Sequence, residues 1–279
     1  MPDTIPRSRS QTVAAAGRAA QACLMELANK AGRVAGLVLA PLTAAGARAR
    51  KSRLFHPTGL VFRATVQPIA GADVDSGLSQ ALAGPALVRL SAAWWKAREW
   101  PDVLGVAIRF RRSETLAPER LEGDFDLLLA TVRSPWTTLL APLSTYQHDF
   151  FANDYYGVSP FRAEGREVVV ALRLVPEHRP HWTEGDRYQR LDRAVAQRAA
   201  TFRLEERAGR RGLWRPTANL TLLERVPVDD ARLRFAPWIA GRGLQTVGFV
   251  QAMRPAAYQL AQAARGLISA ASAASRPAR

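Results

Sequence analysis

A chain of 279 residues with 48% hydrophobic and 23% charged side chains can bury a sizeable core, in one large domain or two small ones. Its formal net charge of +15 comes almost wholly from arginine, since lysine occurs only at Lys30, Lys51 and Lys96. Arginine suits carboxylate or phosphate recognition and buried ion pairing, and without a recognisable motif no specific nucleic-acid binding is expected. Cys23 is the sole cysteine, which excludes an intrachain disulfide and a cysteine-based metal cluster and fits a reducing compartment.

Residues 1–10 are polar, and residues 11–50 are Ala-rich, with Val13, Leu24, Leu27, Val34 and Leu37 at roughly helical spacing and Pro41 interrupting them. The pattern predicts two helices forming an N-terminal arm. Such an arm packs on its own domain or on a second subunit, as in a homodimer; the alternative is weak association with a membrane surface through Arg33, Arg48, Arg50 and Lys51. The first residues contain no apolar core of signal-peptide type, and the run 34–42 is too short to span a bilayer, so a soluble cytoplasmic protein is expected.

From residue 60 the character changes to strand: 60–68, 86–90, 103–110, 125–132 and 167–174 are rich in apolar and β-branched residues, with turn residues such as Gly71, Gly84, Gly123 and Gly165 between them. This series predicts an antiparallel sheet or barrel. Residues 186–202 read as an amphipathic helix, 219–226 as a further strand and 251–271 as a final helix. On that last helix, steps of four and seven place Arg254, Tyr258 and Arg265 on one stripe among small residues such as Ala257 and Ala261. Arg254 beside Tyr258 would favour the phenolate, and the alanines leave room for a flat group, a pattern suggestive of haem ligation. An Ala-rich surface helix with solvated arginines is the plainer account of the same residues.

Four segments in order resemble the haem domain of the catalase superfamily. Arg53-Leu-Phe-His56-Pro-Thr-Gly59 is similar to the family's Arg-x-x-His-x-x-Gly, and Ala86-Leu-Val-Arg89-Leu-Ser91 to its arginine- and serine-bearing strand. Asp102-Val-Leu-Gly105-Val-Ala-Ile-Arg-Phe110 resembles the next strand, and Phe235-Ala-Pro-Trp238 with Gly243-Leu-Gln resembles the approach to the Arg-x-x-x-Tyr helix. The resemblance spans about residues 50–266 and lacks the wrapping segment and C-terminal helical domain of full-length catalases. It implies a minimal, haem-domain-only relative. The fold it implies is α+β: a catalase-like antiparallel β-barrel with flanking helices, residues 53–279 forming the haem-binding barrel domain and residues 1–52 the N-terminal helical arm.

By the same resemblance Tyr258 is the ligand of a haem b iron, kept anionic by Arg254. His56 is the distal acid and base, Ser91 orients it, and Arg53, Arg89 and Arg265 contact the haem carboxylates. The implied activity is peroxide processing, on a peroxide or an organic hydroperoxide with an unidentified electron donor. Where catalases carry the distal asparagine this chain has Ala130, so catalase turnover itself is in question, and Thr131 or Arg133 is the nearest source of a replacement hydrogen bond. A haem carrier or sensor with the same fold is the alternative function. A basic membrane-surface or nucleic-acid module rests on net charge alone. His148, His178 and His181 show no metal-type spacing, and the seven tryptophans read as core or rim packing.

Overall fold

The computed structural model describes residues 58–71, 77–95, 99–133, 140–157, 159–166, 168–179, 184–209, 211–228 and 232–247. The N-terminal arm, the segment bearing Arg53 and His56, and the final helix bearing Arg254, Tyr258 and Arg265 lie outside the described residues.

Among the described residues ten strands form one antiparallel sheet: β1 (Thr58–Pro68), β2 (Gly84–Ala92), β3 (Leu104–Phe110), β4 (Phe125–Ala130), β5 (Tyr155–Gly157), β6 (Phe161–Ala163), β7 (Val170–Pro176), β8 (Thr201–Ala208), β9 (Arg215–Arg225) and β10 (Leu244–Thr246). The order is β10-β6-β7-β5-β4-β3-β2-β1-β9-β8, and β7 also pairs with β8 from Val170↔Ala208 to Pro176↔Phe202. That second pairing closes an eight-stranded barrel, with β6 and β10 running on as a flap beside β7. The expected antiparallel barrel is therefore present. Every joint in the ring links strands close in the chain except one, where β1 meets β9 from Phe62↔Arg225 to Pro68↔Ala218. Register shifts at Arg63/Ala64 and Leu204/Glu205 mark bulges that bend the ring, and Pro216, which cannot donate to a ladder, sits at the second of them.

Alternation along the strands sends one set of side chains inward. Phe62, Val88, Leu90, Val106, Ile108, Phe110, Phe125, Leu127, Leu172, Leu204 and Leu220 fill the barrel, all buried. Phe110 stacks on Phe125 with centroids 6.1 Å apart, and Phe125 meets Phe161 edge-on at 6.0 Å. Tyr155 lies in the same core and donates its hydroxyl to Phe150 O at 2.7 Å; burial raises its phenol well above the usual range. Since the folded pKa is the higher one, this contribution is complete below the unfolded phenol pKa of about 10 and is lost as pH climbs beyond it. A Tyr155→Phe variant should lose about 1 kcal/mol at neutral pH and show a shallower alkaline decline in urea titrations.

Among the described residues three short α-helices flank the barrel: α1 (Leu78–Leu82), α2 (Ala141–Ser144) and α3 (Arg187–Ala196). Asp186 caps α3 by accepting from Tyr188 N and Gln189 N, with the Gln189 side chain accepting from the Asp186 N–H, and Leu191, Ala194 and Val195 face the core. The helix expected over 186–202 ends six residues early. Arg198 takes a left-handed conformation (φ 57°), Ala199 N donates to Ala194 O at 2.9 Å and Arg198 N to Val195 O at 3.0 Å. This pair of bonds is a Schellman stop made without glycine, and it frees Thr201 and Phe202 to begin β8. Among the described residues no helix is long and apolar enough to cross a membrane.

Candidate functional site

The outer face of β1–β4 carries the described part of the expected site. Pairing aligns Gly59, Ser91, Gly105 and Ala130 in one row across the four strands, and Val61, Arg89, Ala107 and Leu128 in the next. Residues paired across a sheet share a face. Gly59, Gly105 and Ala130 put nothing larger than a methyl in the first row, so the floor around Ser91 is flat, whereas Val61, Ala107 and Leu128 of the second row, in which Arg89 stands, pack against Leu233 and Phe235. Ser91 and Arg89 are both buried, Arg89 at 2% exposure, so Arg89 is not a surface charge.

Gly59 is required by close approach. A Cβ there would lie 2.6 Å from Leu90 O, 2.8 Å from Arg89 Cζ and 2.9 Å from Ser91 Cβ. The Arg89 guanidinium is therefore laid directly over Gly59, which follows His56 by three residues in the chain. The Ser91 hydroxyl donates to Gly105 O at a long 3.5 Å, and a hydroxyl oxygen keeps further acceptor capacity.

Ala130 ends β4 on this same face, with a methyl group at the position where the resemblance places an asparagine in catalases. Thr131 does not replace it. Thr145 Oγ1 donates to Ala141 O at 2.8 Å, so in the 2.7 Å contact between the two threonines Thr131 is the donor, and Thr131 Oγ1 also accepts from Leu104 N at 3.2 Å. Its hydroxyl proton is thus committed away from the site. Arg133 lies with its guanidinium 5.8 Å from the centre of the Tyr156 ring.

Farther along the outer face stands a buried ion pair that sequence reasoning missed. Arg109 and Asp126, cross-strand partners on β3 and β4, are both fully buried and meet through Nε–Oδ1 at 2.8 Å and a second contact at 2.9 Å. Arg109 also donates to Pro118 O at 2.7 Å and to Arg234 O, and Asp126 accepts from Ala236 N at 2.7 Å. The Phe235 ring covers the guanidinium at 5.1 Å. The pair so clamps the strap 232–236 against the barrel, with Leu233 and Phe235 packed on Val61, Leu87, Ala107 and Leu128. A Phe-Ala-Pro-Trp motif was legible in the strap, but nothing in it named Asp126 as its anchor.

A cleft of about 450 Å³ opens beside Gly59, between Leu60 and Val61 of β1 and the stretch Arg225 to Val228. Arg225, which pairs with Asp192 at 3.1 Å, is its one charged lining residue.

Two further expectations become specific. His148 contacts a carboxylate: its Nδ1 lies 2.5 Å from Glu99 Oε2, and Glu99 Oε1 accepts from Arg187 N at 2.6 Å. The residues are 49 positions apart, beyond any spacing rule. Trp94, Trp95 and Trp100 are exposed, Trp214 lies between the guanidinium groups of Arg173 and Arg207 at 4.6 Å each, and Trp238 is half-buried, so the described tryptophans belong to the rim and not the core. No group of three or more histidine, cysteine, aspartate or glutamate side chains suited to a metal ion occurs among the described residues.

No family model matches the chain, and no curated protein matches it. In fold it is similar to a fungal catalase solved by crystallography, with a TM-score of 0.52 and 12% identity over 77% of this chain. Catalase A from Saccharomyces cerevisiae aligns with a TM-score of 0.49 and 11% identity over 77% of this chain. The chain covers 59% and 60% of those two proteins. The barrel is thus a catalase-like fold, and at these identities the likeness concerns fold alone.

Proposed function

We propose that this chain is a haem-dependent oxidoreductase that processes peroxides, and organic hydroperoxides in preference to hydrogen peroxide. The observation that carries the reading is the outer face of β1–β4: a row of Gly59, Ser91, Gly105 and Ala130 with nothing larger than a serine side chain on it, and the buried Arg89 guanidinium beside Gly59, on a catalase-like barrel. These residues fit a planar dianionic group, since the floor admits a plane and the Arg89 guanidinium matches a carboxylate. Tyr258, with Arg254 beside it, would hold haem b by its iron, and Arg53, Arg89 and Arg265 would hold its carboxylates. When bound, haem supplies the metal at which a peroxide O–O bond is broken. His56 takes the proton from the incoming peroxide and returns it to the departing oxygen. Ser91 accepts from the His56 ring and fixes its orientation. The Ala130 methyl and the committed hydroxyl of Thr131 leave little that would favour water-like hydrogen peroxide over a peroxide with a hydrocarbon tail.

Titrating the purified full chain with hemin should give a ferric tyrosinate spectrum, which Tyr258→Phe should abolish. His56→Ala should keep haem bound and lower hydroperoxide turnover by about 100-fold or more. Absence of any haem spectrum would sink the proposal. Ala130 also favours a second reading, a haem carrier or sensor, and stable haem binding without turnover of either peroxide class would select it.

A further inference from the structure

We infer that the cleft between α1, β6 and the turn into β10 binds a small zwitterion, a molecule carrying a carboxylate and an ammonium group on an aliphatic spacer. The cleft measures about 510 Å³, within the range of roughly 300–1,000 Å³ usual for small-molecule sites. Its charged lining residues are Arg112, Arg242 and Glu164. None of its lining residues belongs to the outer face of β1–β4 or to the cleft beside Gly59.

One wall is held by a strained residue. Gly241 and Leu244 exchange both main-chain hydrogen bonds, at 3.0 and 2.9 Å, across a two-residue turn whose corners Arg242 and Gly243 have φ of 53° and 71°. A turn with positive φ at both corners favours asparagine or glycine at the first, and an arginine is disfavoured there. Its side chain holds it in place. The Arg242 guanidinium donates to Ala81 O at 2.6 Å and Ala83 O at 2.8 Å, at the end of α1, and to Arg111 O on the β3–β4 connection. The turn, α1 and that connection are thereby joined into a frame formed before any ligand arrives.

Arg242 spends its donors on carbonyl oxygens and none on a carboxylate, so no contact neutralises its charge. Burial first, and the Arg112 charge second, lower its guanidinium below the usual value, with Asp124 opposing them. The two cations repel, and a carboxylate seated at them relieves that repulsion. The side chains of Arg112 and Glu164 are exposed and make no hydrogen bond or ion pair among the described residues, either with each other or with Arg242. Glu164 Oε2 lies 3.3 Å from where a Cβ on Gly243 would stand, so its carboxylate is laid against the turn. Opposite charges thus line one cleft without pairing. An anion alone meets Glu164 and a cation alone meets two guanidinium groups, whereas a zwitterion satisfies both. Asp73 and Asp75, which precede Gly77 in the chain, lie outside the described residues, and the experiment separates their charge from that of Glu164.

The test needs no haem and is therefore separate from the peroxide reading. Binding of glycine, 4-aminobutyrate and 6-aminohexanoate to the full chain is measured by calorimetry at low salt, with hexanoate and hexylamine as controls that each lack one charge. At least one zwitterion should bind about tenfold or more tightly than both controls, and added salt should weaken it. Arg112→Gln should lower that affinity about tenfold without weakening hexylamine, and Glu164→Gln should lower it about as much without weakening hexanoate. Both side chains are exposed, so both variants should melt with the wild type. Asp73→Asn with Asp75→Asn should leave the affinity unchanged. The proposal is overturned if no zwitterion outbinds both controls, or if the affinity survives Arg112→Gln or Glu164→Gln in folded protein. It is equally overturned if the paired aspartate variant removes binding that Glu164→Gln retains.

Discussion

Asp126→Ala is expected to lower stability by about 3–5 kcal/mol, the largest single effect foreseen for the described residues. The reason is asymmetric. Removing the carboxylate leaves the Arg109 guanidinium fully buried without its counter-charge and strips Ala236 N of its acceptor. The strap 232–236 should then come away, making its Arg232 and Arg234 newly cleavable by trypsin in native buffer. Replacing both partners, with Arg109→Met and Asp126→Leu, should recover much of the loss in urea unfolding while leaving the strap without its polar anchor. If the single variant unfolds at the wild-type midpoint, the clamp is not what holds the strap.

Gly59→Ala is the second. Of the three atoms the new methyl would meet, Leu90 O is main chain on the neighbouring strand and cannot swing aside, and it lies at 2.6 Å. The start of β1 must therefore shift away from β2, at about 1–3 kcal/mol for an overpacked contact. Because Arg89 is displaced by the same methyl, hemin affinity should fall about tenfold, the scale of one lost charge-assisted hydrogen bond. Arg89→Lys tests the route: it should lower hemin affinity with little change in the melting temperature. If Gly59→Ala destabilises the chain and leaves hemin affinity untouched, Arg89 is a structural residue only.

The strands of the barrel were legible because alternation and turn glycines mark them without tertiary help: 60–68, 86–90, 103–110 and 125–132 fall within two residues of β1–β4. The strand expected at 167–174 is observed at Val170–Pro176, and that at 219–226 at Arg215–Arg225. What escaped has physical causes. β5, β6 and β10 have three residues each, too few to show a period. β8 was not expected, and its first two residues fell within the preceding helix because the stop at Arg198 uses an arginine where glycine is the usual signal. In the site, the resemblance pointed to Arg89 and Ser91, and both lie on one buried face. The Arg109–Asp126 clamp and the Glu99–His148 contact were hidden because each depends on register or loop packing between residues 17 and 49 positions apart.

The single long-range joint of the ring governs how the chain can be made. β1 through β8 can pair with sequence neighbours as they leave the ribosome, but β1 keeps one bare edge until β9 is available. During that interval an edge containing Val61, Phe62 and Val66 is an open template for other nascent chains. Loop closure over so many residues is slow compared with hairpin formation. Fragments ending before β9 should collect as aggregates, and a permuted chain that joins β9 directly to β1 should refold faster than the natural order.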